Sequence, residues 1–308
     1  MVVSRHCGAG VLFLLLTSLL SAPVLAGEEG EAAAMEWREQ RLERLTAPFG
    51  WLSLVALEFL ADGAWDVGSA ADNPVRLPSG PDRWGTVIVE GPQAWFEPES
   101  GAEVWLEEDA PVPSRLELVV GGDDPATRVH AGTGWFEIAR RGDRLVLRAR
   151  DSEAATRREF QGLDYFDFNA DWLVEARWEP HPEDATIPIA DVLGELRDQP
   201  NPGRAVFEFE GQQYRLEALA ADEQLFFIFA DRTSGRSTYG LGRFLYSSLP
   251  EGGRVELDFN RAYNPPCAFN AYTTCPLPPP ENRLDVPVEA GELRYRGSGG
   301  VRPEDLSG

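Results

Sequence analysis

Along most of the chain, apolar and polar residues alternate in short runs closed by Gly and Pro, the period of a half-buried β-strand. Trp172, Val174, Ala176 and Trp178 alternate with Leu173, Glu175 and Arg177, and Val255, Leu257 and Phe259 alternate with Glu256, Asp258 and Asn260. Segments 144–150 and 206–210 follow the same pattern. Leu225 to Ala230 is apolar on both faces and predicts a central strand covered from both sides. One stretch differs: Glu31 to Leu45 is rich in Ala, Glu and Arg, lacks Gly and Pro, and predicts a helix ending before Pro48. The expected fold is therefore all-β, with two antiparallel β-sandwich or barrel-like units and one short N-terminal helix.

Five segments are expected. Residues 1–26 read as a secretory signal peptide: Arg5 precedes an apolar run from Val11 to Leu20, too short to span a bilayer, and Val24 and Ala26 supply the small residues that precede cleavage. Cys7 would leave with the signal. Residues 27–48 form the helix and 49–178 an N-terminal β-sandwich. Residues 179–296 form a C-terminal β domain, its start marked by the composition shift at 179–184, and 297–308 a flexible tail. An exported chain, periplasmic or extracellular and without a membrane span after cleavage, follows from this reading.

Charge narrows the partners. The 308 residues carry 51 acidic and 28 basic side chains, a formal net charge of −23, so phosphate backbones and anionic membranes are repelled and nucleic acid is not an expected partner. Every basic residue is Arg and none is Lys, which removes Schiff-base, pyridoxal-phosphate and P-loop lysine chemistry. An acidic, Lys-free composition fits adaptation to high salt and fits an Arg-biased genome equally well. A hydrophobic fraction of 43% suffices for a folded core.

After signal removal two cysteines remain, Cys267 and Cys275, in a Pro-rich stretch. An oxidising compartment makes a disulfide the first expectation, worth about 2.6 kcal/mol by loop-entropy arithmetic. A thiolate or metal pair is the other reading, but His130 and His181 are the only mature histidines and neither has zinc-ligand spacing to these cysteines. No metal and no cofactor is expected. The same two histidines lie near no Gly-x-Ser-x-Gly motif, so a triad hydrolase is not expected.

Two stretches concentrate candidate chemistry. Residues 229–246 predict a strand, a tight polar turn with Gly235 at positive φ, and a returning strand on which Tyr239, Leu241, Arg243 and Leu245 share a face. Arg243 then needs a carboxylate, either Asp231 or Asp258 internally or that of a ligand. Residues 257–269 follow with Asp258, Asn260, Arg261, Tyr263 and Asn264 ahead of a proline-stiffened loop. These side chains either bind a polar ligand or tie the loop's own backbone.

The strings Gly50-Trp51-Leu52-Ser53-Leu54, Thr233-Ser234-Gly235 to Gly242-Arg243-Phe244-Leu245, and Asp258-Phe259-Asn260-Arg261-Ala262-Tyr263-Asn264-Pro265-Pro266-Cys267 with Cys275-Pro276-Leu277-Pro278 resemble the family called domain of unknown function 1684, from about Trp37 to Glu292. The resemblance implies no activity. Residues 63–78 are similar to the opening strands of forkhead-associated sandwiches, but Ser69 stands where that pattern has arginine, so phosphothreonine binding is not implied.

Three functions stay open. The first is a binder of a small polar ligand, a carbohydrate or an organic acid, through Tyr239, Arg243, Asn260, Arg261, Tyr263 and Asn264. The second is a carboxylate-dependent hydrolase using Asp231 and Asp258. The third is a ligand-free envelope scaffold. The sequence fixes no oligomeric state.

Overall fold

The computed structural model describes residues 22–121, 125–297 and 300–301. Most of the expected signal segment, residues 1–21, and most of the expected tail lie outside the described residues. The strands are β1 (Leu54–Leu60), β2 (Gly63–Gly68), β3 (Val75–Arg76), β4 (Gly85–Glu90), β5 (Gln93–Pro98), β6 (Leu116–Leu118), β7 (Val129–Ala131), β8 (Gly134–Arg141), β9 (Arg144–Asp151), β10 (Leu173–Pro180), β11 (Thr186–Ala190), β12 (Leu196–Pro200), β13 (Gly203–Phe209), β14 (Gln212–Ala221), β15 (Gln224–Phe229), β16 (Arg243–Ser248) and β17 (Arg254–Asp258). The fold is all-β with one long helix, α1 (Ala22–Thr46), which starts before and ends short of the expected 27–48.

The first unit is a sandwich. Sheet β1-β9-β8-β7 packs on sheet β3-β2-β4-β5-β6, and Leu145, Leu147, Ala149, Phe136 and Ile138 of the first meet Val67, Val87, Val89 and Phe96 of the second. Side chains alternate across a strand, so the other face of β8 and β9 points away from this core. It carries Arg141 on β8 and Arg144, Arg148 and Arg150 on β9.

The second unit curls the six-stranded sheet β16-β15-β14-β13-β10-β17 into a near-barrel, and its end strands β16 and β17 approach each other. Leu225, Phe227 and Phe229 of β15 fill its interior beside Leu245, Leu257 and Phe259. On the outer face of the same strands, Ile228 and Phe244 join a third core with Leu45, Leu52, Ile189, Cys267 and Phe269. This double covering is why 225–230 is apolar on both sides. The unit boundary expected at 178/179 falls inside β10, all of whose pairings are to β13 and β17.

The loop that joins β15 to β16 is longer than a tight turn. Strand pairing resumes only at Arg243, opposite Phe229. Tyr239 therefore lies in the loop rather than on the face it was expected to share with Arg243. Asp231 closes this loop: Thr233 donates its backbone N–H (2.7 Å) and its hydroxyl to Oδ1. At the far end Gly242 takes φ 97°, where an added Cβ would stand 2.6 Å from the Phe229 carbonyl and 2.4 Å from Pro278.

Side chains lock the units together. Asn270 of the cysteine loop donates from Nδ2 to the Leu54 carbonyl of β1 at 2.7 Å. Arg41 of α1 pairs with the fully buried Glu292 at 2.9 Å and donates to the Asn264 carbonyl. These ties hold the helix and the sandwich against the barrel wall.

Candidate functional site

The polar residues singled out from sequence occupy several places. Arg243 and Asp231 form an ion pair at 2.8 Å with both side chains 0% exposed, and Arg243 also donates to the Val288 and Ala290 carbonyls. Asp231 further accepts from the Val288 N–H. Burial alone pushes the Arg243 guanidinium down, against the pull of Asp231. The pair is held by protein groups through Nη1 and Nη2, with the buried Nε left without a partner, and it does not line the cleft between the two units.

Asp258 caps the short turn after β17: its Oδ1 accepts from the Asn260 backbone N–H and amide, and its Oδ2 faces Arg261 at 2.9 Å. Asn260, buried, also clamps Asn169 through both its amide groups. Asn264 donates to the Leu293 carbonyl, and the Tyr239 hydroxyl donates to the Val301 carbonyl. That last bond, with the Val301 N–H on the Cys267 carbonyl, holds the described end of the expected tail. Of the eight residues, Tyr263 lines the cleft between the two units and the other seven do not.

That cleft lies between the outer face of the β1-β9-β8 sheet, α1 and the outer wall of the barrel. Its largest lobe, about 710 Å³, is walled by Trp37, Arg41, Arg44, Trp51, Arg150 and Tyr263, among others. A second lobe of about 250 Å³ shares Trp51, Phe244, Tyr246 and Pro266 with it and adds Arg141, Arg148 and the cysteine loop at Tyr272 to Pro276. No Asp or Glu lines either lobe. A third of about 220 Å³ continues past Arg141, Thr274 and Pro276. It does carry Asp191 and Glu195, and both are occupied: Asp191 accepts backbone N–H groups of Leu193 and Glu195, and Glu195 contacts Arg144 and Arg197.

The cleft's arginines are short of counter-charge. Among the described residues Arg44 and Arg141 have no ion pair and no side-chain hydrogen bond, and the Arg141 Nε is buried without a partner. Arg150 donates only to the Phe49 and Gly50 carbonyls and the Ser53 hydroxyl, and stands over the rings of Trp51 and Trp135. Arg148 reaches one carboxylate, Glu137, at 3.8 Å, and Arg128 shares it at 3.7 Å. Desolvation and then the charge of Arg148 press the Arg150 guanidinium down to about 10, and the same causes, with Arg197, lower Arg141. Each is a cation held where cations are disfavoured, and an arriving anion would relieve that cost.

Aromatic rings complete the walls. Phe49, Trp51, Tyr246 and Tyr272 are the large aromatic side chains that stay exposed among the described residues, and all four line these lobes. Trp51 is 38% exposed and Tyr246 40%. Tyr246 stacks on Phe226 (4.7 Å, 21°) and lies nearly parallel to Tyr263 (12°), so its orientation is fixed before any ligand arrives. Burial raises the Tyr246 and Tyr263 hydroxyls above their ordinary range and keeps them neutral donors.

Sequence reasoning did not single out Arg44, Arg141, Arg148 or Arg150. The available signal was Arg at alternate positions 144, 148 and 150 of a strand whose other face is apolar. Trp51 stood inside a quoted string, but nothing local marked it as exposed. The histidines sit elsewhere: His130 stacks on Trp105, and His181 meets Glu217 at 2.8 Å. Among the described residues no group of three or more His, Cys, Asp or Glu is arranged to hold a metal, and no helix is long and apolar enough to cross a membrane.

A two-unit all-β protein with an arginine- and aromatic-lined cleft between its units is thus the class that the fold and site define. Residues 158–293 match the family described as "Protein of unknown function (DUF1684)", and the chain belongs to that family. A solved structure that matches is the solution NMR structure of an uncharacterized protein from Haloarcula marismortui. It is 33% identical over 46% of this chain and 81% of that one, with a TM-score of 0.39. No curated protein matches the chain.

Proposed function

We propose that this is an exported binding protein for a small organic anion, held in the cleft between the sandwich and the barrel. The observation that carries the reading is Arg141: a guanidinium in a ligand-sized cleft, desolvated, beside Arg148 and Arg197, with no ion pair or side-chain hydrogen bond among the described residues and only the more distant charge of Asp191 in its favour. Buried or half-buried charges in folded chains are ordinarily paired. In a chain of net charge −23, carboxylates were available to pair it. Their absence from both lobes supports a ligand that brings its own carboxylate, which arginine recognises through two parallel N–H donors. The exposed rings of Trp51 and Tyr246 supply the apolar contact for the ligand's body.

The hydrolase reading, by contrast, rests on Asp231 and Asp258. One is sealed against Arg243 and the other is engaged by Asn260 and Arg261, so neither meets a substrate in this arrangement.

A thermal-shift screen tests the proposal. Carboxylic acids at about 100 times Kd should raise the melting free energy by about 2.7 kcal/mol, whereas neutral analogues of the same shape should leave it unchanged. An equal response to neutral analogues would remove the arginines from the explanation.

Export and the disulfide belong to the same proposal. The apolar segment ahead of Ala26 supports export. The Cα atoms of Cys267 and Cys275 are 6.1 Å apart, within the span of a bridge. Protein recovered from a secreting host is expected to begin at Gly27 and to take up an alkylating reagent at these cysteines only after reduction. Two thiols that alkylate in the unfolded, unreduced chain would defeat the bridge.

A further inference from the structure

The arginines of the cleft are arranged in a line. Arg148 and Arg150 are two residues apart on β9 and share a face, a rise of roughly 6.7 Å. Arg141 of β8 stands opposite Arg144 of β9, so its register lies six residues from Arg150, roughly 20 Å along the strand. Arg44 on α1, which has no ion pair among the described residues, extends the positive wall beyond Arg150 into the large lobe, whereas Arg41 one turn before it is neutralised by Glu292. The lobes share Trp51, Phe244, Tyr246 and Pro266, so one continuous path joins the two ends. Exposed rings recur along it: Phe49 and Trp51 in the large lobe, Tyr246 at the waist, and Tyr272 beyond.

β8 and β9 are interior strands of their sheet, each hydrogen-bonded on both sides. They offer no unpaired backbone edge to which an extended peptide could add. Recognition here is by side chains alone, from guanidinium groups and exposed aromatic rings that line the same cleft. A chain of pyranose rings fits such a lining, since each ring has an apolar face to set on an aromatic surface and a rim of polar substituents. Carboxylates on the rim would meet the guanidinium line.

Resting on the anion-binding reading above, we infer that the ligand is an acidic oligosaccharide, a run of uronic-acid residues lying along the Arg141–Arg148–Arg150 line and across the rings of Trp51 and Tyr246. The cleft is several times longer than one sugar ring, so affinity should grow with chain length. It should then level off once the line is filled.

Isothermal titration with galacturonic acid and its oligomers of two to six residues tests this on the full chain. Affinity is expected to rise roughly 100-fold from monomer to the longest oligomer, as linked contacts act together. Arg148→Gln should cost the long oligomers more than it costs the monomer. Maltooligosaccharides of the same lengths, which lack carboxylates, should bind at least about 10-fold more weakly, the loss of one charge-assisted contact. Equal affinity for monomer and hexamer would overturn the oligosaccharide inference and leave the small-anion reading standing. Oligoglutamate matching the uronates length for length would overturn it too, by showing that charge alone is read. Failure of every uronate and every simple carboxylate to bind would overturn both.

Discussion

Arg243→Met is expected to destabilise the protein by roughly 3–5 kcal/mol, because it leaves the buried Asp231 carboxyl without its counter-charge. The melting temperature should fall by on the order of 10 °C. The cost is large because Arg243 is the one counter-charge to Asp231, whose remaining partners are neutral donors on its other oxygen. Arg243 is 0% exposed and donates to Asp231 and to two carbonyls of the segment after Leu284. Losing it frees three acceptors that water does not reach. Adding Asp231→Asn should restore about half of the loss, since it removes the stranded charge yet keeps an oxygen for the Thr233 and Val288 N–H groups. Paired thermal melts and denaturant titrations check both variants. The carboxylate affinity of the fraction that stays folded should match the wild type. A variant that melts normally but binds no ligand would make Arg243 a clamp and move the site into the barrel interior.

Read from sequence, Arg243 has two open roles, internal partner of Asp231 or Asp258 and clamp on a ligand, and the observed pair with Asp231 is the first of them. The reason that sequence leaves the choice open is general. Alternation along β15, β16 and β17 is a local property, set by which face of a strand is covered, and it is legible one strand at a time. The same holds for the two-faced apolar run at 225–230. What alternation does not carry is which polar side chains meet. The string from Asp258 to Asn264 is dense in hydrogen-bonding groups because an irregular crossing must satisfy its own backbone. Asn260 on Asn169 and Asn264 on Leu293 are partnerships across many residues of sequence.

The cleft escaped sequence reading for the converse reason. Its walls come from α1, from the 49–54 turn, from β8 and β9, and from the barrel's outer face with the cysteine loop. Only α1 and the 49–54 turn are neighbours in sequence; the sandwich strands and the barrel wall that complete the cleft lie about a hundred and about two hundred residues further on. Arg148 and Arg150 look like ordinary polar positions of a half-exposed strand, the most common explanation for such residues. They become unusual only when the opposing wall is known to hold aromatic rings and no carboxylate. The composition shift at 179–184 is likewise local: it marks the end of β10 and the loop after it, while the sheet to which β10 belongs is set by its pairing with β13 and β17.

Arg141→Met should separate binding from stability. Removing a charge-assisted hydrogen bond to a ligand carboxylate costs about 1.5–3 kcal/mol, or roughly 10- to 100-fold in Kd. Yet the ligand-free protein should melt at the wild-type temperature or slightly above. The sign follows from the environment of the charge: desolvation comes first, then Arg148 and Arg197, and together they outweigh the one favourable charge, Asp191, so the cation is disfavoured in the folded state. A group whose charged form is disfavoured by folding lowers stability while it stays charged, and an apolar side chain of similar length removes that cost. Met also preserves the stem's packing against the cleft wall. A structural arginine behaves in the opposite way, since its loss lowers the melting temperature and leaves Kd unchanged. Calorimetric Kd for a carboxylate, measured beside the melting curve of the free protein, decides between them. Proteins keep a destabilising charge where it serves a ligand, and a variant that is more stable and binds worse would place Arg141 in that group.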